Sequence, residues 1–74
     1  MNRYEAAITA CVRQAVAERL TAEQINTPLI EQLAVILAGT ADTTGAKLDD
    51  LLEIVRHKLD ERTAHHAHQI RSRR

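Results

Sequence analysis

Aromatic residues are almost absent from this sequence. Tyr4 is the only one, and the chain has neither Phe nor Trp. Without aromatic platforms, the chain has no means of stacking single-stranded bases, so that mode of nucleic-acid binding is excluded. The apolar fraction is nevertheless 45% and consists mainly of Ala, Leu, Ile and Val. Aliphatic side chains at helical spacing favour helix-on-helix packing, and the sequence predicts an all-α fold.

Cysteine and glycine are also scarce. Cys11 is the only cysteine, so the chain can form no disulfide within itself, and a single thiol fits a reducing compartment. We expect Cys11 to act as a small buried hydrophobe on the first helix. Gly39 and Gly45 are the only glycines, which excludes a glycine-rich phosphate loop.

Long apolar runs are missing as well. No stretch approaches the ~20 apolar residues that a membrane span requires. Glu5 and Arg13 interrupt the first apolar run, so no signal peptide is expected. The sequence predicts a cytoplasmic protein.

The chain has no excess of positive or negative charge, since its ten basic residues balance its ten acidic residues. The charges are unevenly placed: residues 21–46 carry −3 with no Lys or Arg, and residues 63–74 carry +3. A DNA-reading helix needs polar and basic residues toward bases and phosphates. The two predicted helical pieces within residues 21–37 have the spacing of a helix-turn-helix, but the negative charge of this segment excludes DNA reading.

The first helix is predicted over residues 3–20, where apolar residues recur every three to five positions. The second helical segment is predicted in two pieces. Thr21 and Gln24 have capping-box spacing and indicate one short turn. Thr27 then serves as a second N-cap, with Pro28 at the first helical position, where no N–H is required. With Gly39 as its C-terminal cap, this second piece is a short helix. It is apolar around most of its circumference, so we expect it to be buried.

A loop is predicted at Thr40–Gly45 (TADTTG), and the third helix is expected to begin near Ala46. Positions 48, 52, 55 and 59 of that helix are apolar at the alternating four-three spacing of a coiled-coil seam. Extended onward, the same face meets His66 and Ile70. The third helix is therefore expected to run into the C-terminal segment.

Self-association is expected because 74 residues are few for a stable core. A chain of this size buries only about 60% of its unfolded surface. Ordering costs roughly 1.5 kcal/mol per residue, which leaves the net balance near zero. We expect a small helical bundle of two long helices around a short buried middle helix, completed by homodimerisation, with residues 1–66 as one domain and 67–74 as a basic arm or helix extension. The residues expected to carry self-association are Ile8, Val12, Leu33, Leu48, Leu52, Val55 and Leu59.

The segment ERTAHHAHQIRSRR holds three histidines within four residues. A helical zinc site favours histidines at i and i+4. Only His65 and His68, at i and i+3, can share an ion, and no third ligand is evident, so neither metal nor cofactor is expected. Glu53, His57, Glu61 and His65 instead repeat at i+4 steps, which is typical of a solvated helix face.

Catalytic residues are not indicated either. The neighbouring acids Asp49–Asp50 and Asp60–Glu61 point about 100° apart on a helix, so neither pair shares a substrate proton. Cys11 has no histidine near it in sequence. We therefore expect a protein that is not an enzyme.

The basic C-terminal end is the candidate partner-binding site, with His65, His68, Arg71, Arg73 and Arg74. These side chains suit an acidic patch on a protein, or two or three phosphates; a solvated terminus without function is the plain alternative.

The length and helical content resemble those of small bacterial or phage accessory proteins. We expect a non-catalytic interaction module, such as an adaptor, chaperone-like protein or inhibitor, that binds a protein through helix faces. The alternative is a nucleic-acid-associated regulator that uses the arginine tail of a dimer.

Overall fold

The computed structural model describes residues 1–73, and its regular structure is entirely α-helical in that range. Helix α1 spans Arg3–Ala17, α2 spans Ala22–Thr44 and α3 spans Leu48–Ser72. The all-α prediction is confirmed. The chain forms two compact units, Met1–Ala34 and Val35–Arg74, so α2 contributes its first half to one unit and its second half to the other.

Helix α1 begins at a reciprocal side-chain cap. The Asn2 side-chain oxygen accepts a hydrogen bond from the Glu5 backbone N–H at 2.8 Å, and the Asn2 amide donates to the Glu5 carboxylate at 3.1 Å. The cap satisfies a backbone donor that the first helical turn leaves free. The carboxylate of Glu5 also lies at the positive end of the helix dipole.

The end of α1 is a left-handed turn that the apolar pattern did not reveal. Leu20 N–H donates to the Ala15 carbonyl and Arg19 N–H to the Val16 carbonyl, which are the two bonds of a Schellman motif. Arg19 is the left-handed residue, with φ 63°. The helix therefore stops at Ala17, and the predicted extent to residue 20 is three residues too long.

Arg19→Gly is expected to stabilise the protein, because glycine adopts positive φ without the steric cost of a Cβ. The expected gain is about 1 kcal/mol in the free energy of unfolding. The matched control is Glu18→Gly, one residue earlier, where φ is −79° and glycine brings no relief. Urea unfolding of the two variants checks this; equal effects would mean that Arg19 is not held at positive φ.

Helix α2 begins at the predicted capping box, which is confirmed. Gln24 N–H donates to the Thr21 hydroxyl at 3.1 Å, and Thr21 N–H donates to the Gln24 side-chain oxygen at 2.8 Å. The helix does not restart at Thr27 and Pro28 as predicted. It continues through both residues, since the cap at Thr21 already starts a helix that places Pro28 in its second turn.

The end of α2 also differs from the prediction. Gly39 lies inside the helix, and Gly45, with φ 74°, takes the left-handed position after the last turn. The predicted loop is helical through Thr44, whose hydroxyl donates to the Thr40 carbonyl at 2.7 Å. No residue between Gly39 and Gly45 requires positive φ, so the helix reaches the next glycine. At 23 residues α2 is a long helix, and the prediction of a short one is wrong.

The two glycines are expected to respond oppositely to alanine. A Cβ on Gly39 meets no atom within 4 Å, and alanine is the better helix former, so Gly39→Ala should stabilise by about 0.5–1 kcal/mol. Gly45→Ala should destabilise by about 1–2 kcal/mol, because its φ is positive. Thermal unfolding measures both. A loss of stability in Gly39→Ala would show that another helix approaches this position closely.

Helix α3 begins at Leu48, two residues after the predicted start, and its N-cap Lys47 makes no side-chain capping bond. It continues without a break to Ser72, so the prediction that it enters the C-terminal segment is confirmed. Residues 67–72 are thus part of α3. The division of the chain into a domain over 1–66 and an arm over 67–74 stays a prediction.

Within residues 1–73 no side chain is buried in the single chain. Each unit is one pair of helices, and a helix pair shields its side chains from one direction only. The half-buried apolar residues are Val12, Ala15 and Ile25 in the first unit, and Leu37, Ala41, Leu51, Val55 and Ala67 in the second. The expected burial of the middle helix is not found within one chain.

Candidate interaction surfaces

An apolar groove lies in the first unit, between α1 and the first half of α2. We call it the α1–α2 groove; its volume is about 410 Å³. Gln24 and Gln32 are the only amide side chains that line it, and no charged side chain of residues 1–73 does so. The lining residues are Tyr4, Ala7, Ile8, Cys11, Val12, Ala15, Leu20, Gln24, Ile25, Pro28, Leu29 and Gln32.

The groove follows from the helix period and from the turn that joins the helices. Tyr4, Ile8, Cys11 and Ala15 lie at steps of three and four, which places them on one face of α1. The Schellman turn then reverses the chain at Arg19 and leaves Leu20 on the groove side. The predicted self-association residues Ile8 and Val12 are therefore brought together here. No sequence signal indicated that α2 supplies the opposite wall.

Cys11 lies on the predicted apolar stripe but is exposed. The prediction of a buried cysteine is wrong for the single chain, because the groove that contains the thiol is open to solvent.

The second apolar surface is a row of side chains along α3, here called the α3 stripe. It consists of Leu48, Leu52, Val55, Leu59 and Ile70. Val55 is half-buried, whereas Leu52 is 47% exposed and Leu59 is 63% exposed. Leu48 and Ile70 are exposed as well, so most of the stripe is available for a partner. The remaining predicted self-association residue, Leu33 on α2, is also exposed.

Beside and opposite the α3 stripe, the surface of α3 is charged and solvated. His57 lies 3.8 Å from Glu61, and Arg56 lies 3.6 Å from Glu53, with all four side chains largely exposed. Exposed pairs of this kind contribute about 0–1 kcal/mol to stability. Of the predicted i+4 pairs, the one between His57 and Glu61 is therefore present, on the exposed surface of the helix.

The C-terminal turn of α3 presents the predicted partner-binding residues on an exposed surface. His65 and His68 are exposed, and the His65 ring packs edge-on against His66 at 5.3 Å. Arg71 donates a hydrogen bond from Nε to the Ala67 carbonyl at 3.3 Å, which turns its guanidinium back along the helix. Arg73 is the C-cap. Arg74 lies outside the described residues.

No group of three or more His, Cys, Asp or Glu side chains converges on a common point among residues 1–73. His65 and His68 therefore belong to no such group in this range. In the same part of the chain, no helix is both long enough and apolar enough to cross a membrane.

Comparison of the chain with known protein families, with curated proteins and with solved structures gives no match.

Proposed function

We propose that this chain is a non-catalytic protein–protein interaction module that works as a homodimer. One observation carries the proposal: no residue of 1–73 is buried, while fifteen large apolar residues are exposed. Side chains of this kind contribute about 1.5–3 kcal/mol each when buried fully. A chain that leaves all of them in water lacks the main driving force of folding until a second chain covers them.

The exposed area supports an interface of obligate size. The chain exposes 6773 Å², whereas a compact monomer of the same mass exposes about 4,600 Å². The excess is about 2,200 Å² per chain. If two copies each cover half of this excess, they bury about 2,200 Å² together, which falls in the range of permanent dimers.

The basic end of α3 is the proposed site for a further protein partner of acidic character. Helical spacing places His65, His68 and Arg71 on the side of α3 opposite Leu52 and Leu59. These three residues of the partner site therefore lie off the face that the proposed dimer covers. Two copies present two such sites, which raises the apparent affinity for a partner that engages both.

Neutralising the basic end tests this function. Arg71→Gln combined with Arg73→Gln should leave helicity and dimer mass unchanged and weaken capture of the acidic partner. Surface pairs contribute up to about 1 kcal/mol each, so the affinity should fall by up to about thirtyfold. The matched control is Arg3→Gln combined with Arg13→Gln on α1, which removes the same charge elsewhere.

The partner is to be identified by crosslinked pull-down from the native host, followed by binding measurements on the purified pair. Equal affinity of both double variants would contradict the proposed site. A salt-sensitive shift of duplex DNA that disappears only in the Arg71/Arg73 variant would instead assign the basic end to nucleic acid.

A further inference from the structure

We infer that the α1–α2 groove of each copy is filled by the α3 stripe of the other copy. The inference rests on the proposed homodimer and names the surfaces that meet in it. The exchange is reciprocal, since the first copy inserts α3 into the second and receives α3 from it. Such an arrangement is two-fold symmetric and closes at two chains.

Shape is the first argument for this occupant. The groove is concave and lined by two helices, so a second groove placed against it would leave an unfilled space. A helix with a narrow apolar row fits between two helices. The α3 stripe is such a row, and Leu52 and Leu59 on it lie exposed in the single chain.

The chemistry of the groove is the second argument. A small-molecule site combines apolar walls with a few placed polar groups that fix the ligand. Here the polar groups are the Tyr4 hydroxyl, the Cys11 thiol and the amides of Gln24 and Gln32, and the side-chain oxygen of Gln24 already accepts a hydrogen bond from the Thr21 backbone N–H. An aliphatic helix face needs no such anchor.

The native thiol offers a direct test, because Cys11 is the only cysteine and lies in the groove. In Leu59→Cys, mild oxidation of a mixture of heavy- and light-isotope chains should give a disulfide that joins Cys11 of one chain to position 59 of the other. The control is Glu53→Cys, on the opposite face of α3, which should give no such link.

The unmodified protein provides a second test of the groove assignment, which does not require the Leu59→Cys variant to fold. The rate at which a maleimide modifies Cys11 should fall about tenfold or more from dilute to concentrated protein, in proportion to the fraction of open grooves. A dimer by sedimentation in which Cys11 reacts equally fast at both concentrations would overturn the groove assignment and leave the dimer standing. A disulfide within one chain would also overturn it. A single-chain mass at every concentration would overturn the proposed dimer itself.

Discussion

Leu59→Asp should dissociate the protein into unfolded or partly unfolded single chains. In the isolated chain Leu59 is 63% exposed, and a substitution at so open a position ordinarily changes stability by less than about 0.5 kcal/mol. In the proposed dimer the same side chain fills a helix–helix interface, where its loss alone is expected to cost about 2–5 kcal/mol. An aspartate adds an unpaired charge at that interface, which increases the cost further.

Ile30→Asp is the matched control, since Ile30 is 64% exposed and belongs to neither the α1–α2 groove nor the α3 stripe. The two variants remove side chains of equal size and nearly equal exposure, so their difference isolates the interface. Circular dichroism and sedimentation of both report it. Equal, small effects would contradict an interface on the α3 stripe.

Pro28→Ala should stabilise the protein by about 2 kcal/mol. Inside a helix, proline is about 3 kcal/mol less favourable than alanine, because it lacks the N–H that would donate to the carbonyl four residues earlier. Its stiffening of the unfolded chain offsets about 0.4–1 kcal/mol of that difference. In α2 the carbonyl in question belongs to Gln24, and alanine restores its donor.

Thr27→Ala is the companion substitution. In a continuous α2, alanine at position 27 is a slightly better helix former than threonine, so stability should rise by a few tenths of a kcal/mol. If a helix instead began at Pro28, Thr27 would be its N-cap, and alanine would cost about 1 kcal/mol. Guanidinium unfolding of both variants distinguishes the two arrangements. A continuous α2 predicts that Thr27→Ala and Pro28→Ala both stabilise the protein. A helix that starts at Pro28 predicts that Thr27→Ala destabilises it and that Pro28→Ala has almost no effect.

Local chemistry made some features of this fold predictable. The Thr21 capping box and the continuation of α3 through His66 and Ile70 follow from side-chain types at fixed spacing, and the structure has both. The C-terminal ends of α1 and α2 could not be predicted from the sequence, because a glycine or a proline allows a helix to end at its position without requiring it to end there. Gly39 and Pro28 are accommodated within α2, while Arg19 adopts the positive φ that sequence reasoning reserves for glycine.

The candidate surfaces were predictable only on the level of single helices. Helical spacing placed Ile8 and Val12 on one face of α1, and Leu52 and Leu59 on one face of α3. It did not indicate that α2 joins α1 around an open groove, since that depends on the length of α2 and on the turn at Arg19. The exposure of Cys11 follows from the same open groove.

Sedimentation equilibrium of the unmodified chain at micromolar concentration tests the central claim most directly. The claim is that these helices become stable by covering each other's apolar faces between two copies. The expected result is twice the mass of the chain, with dissociation and loss of helicity on further dilution. A single-chain mass that persists together with full helicity at every concentration would contradict it.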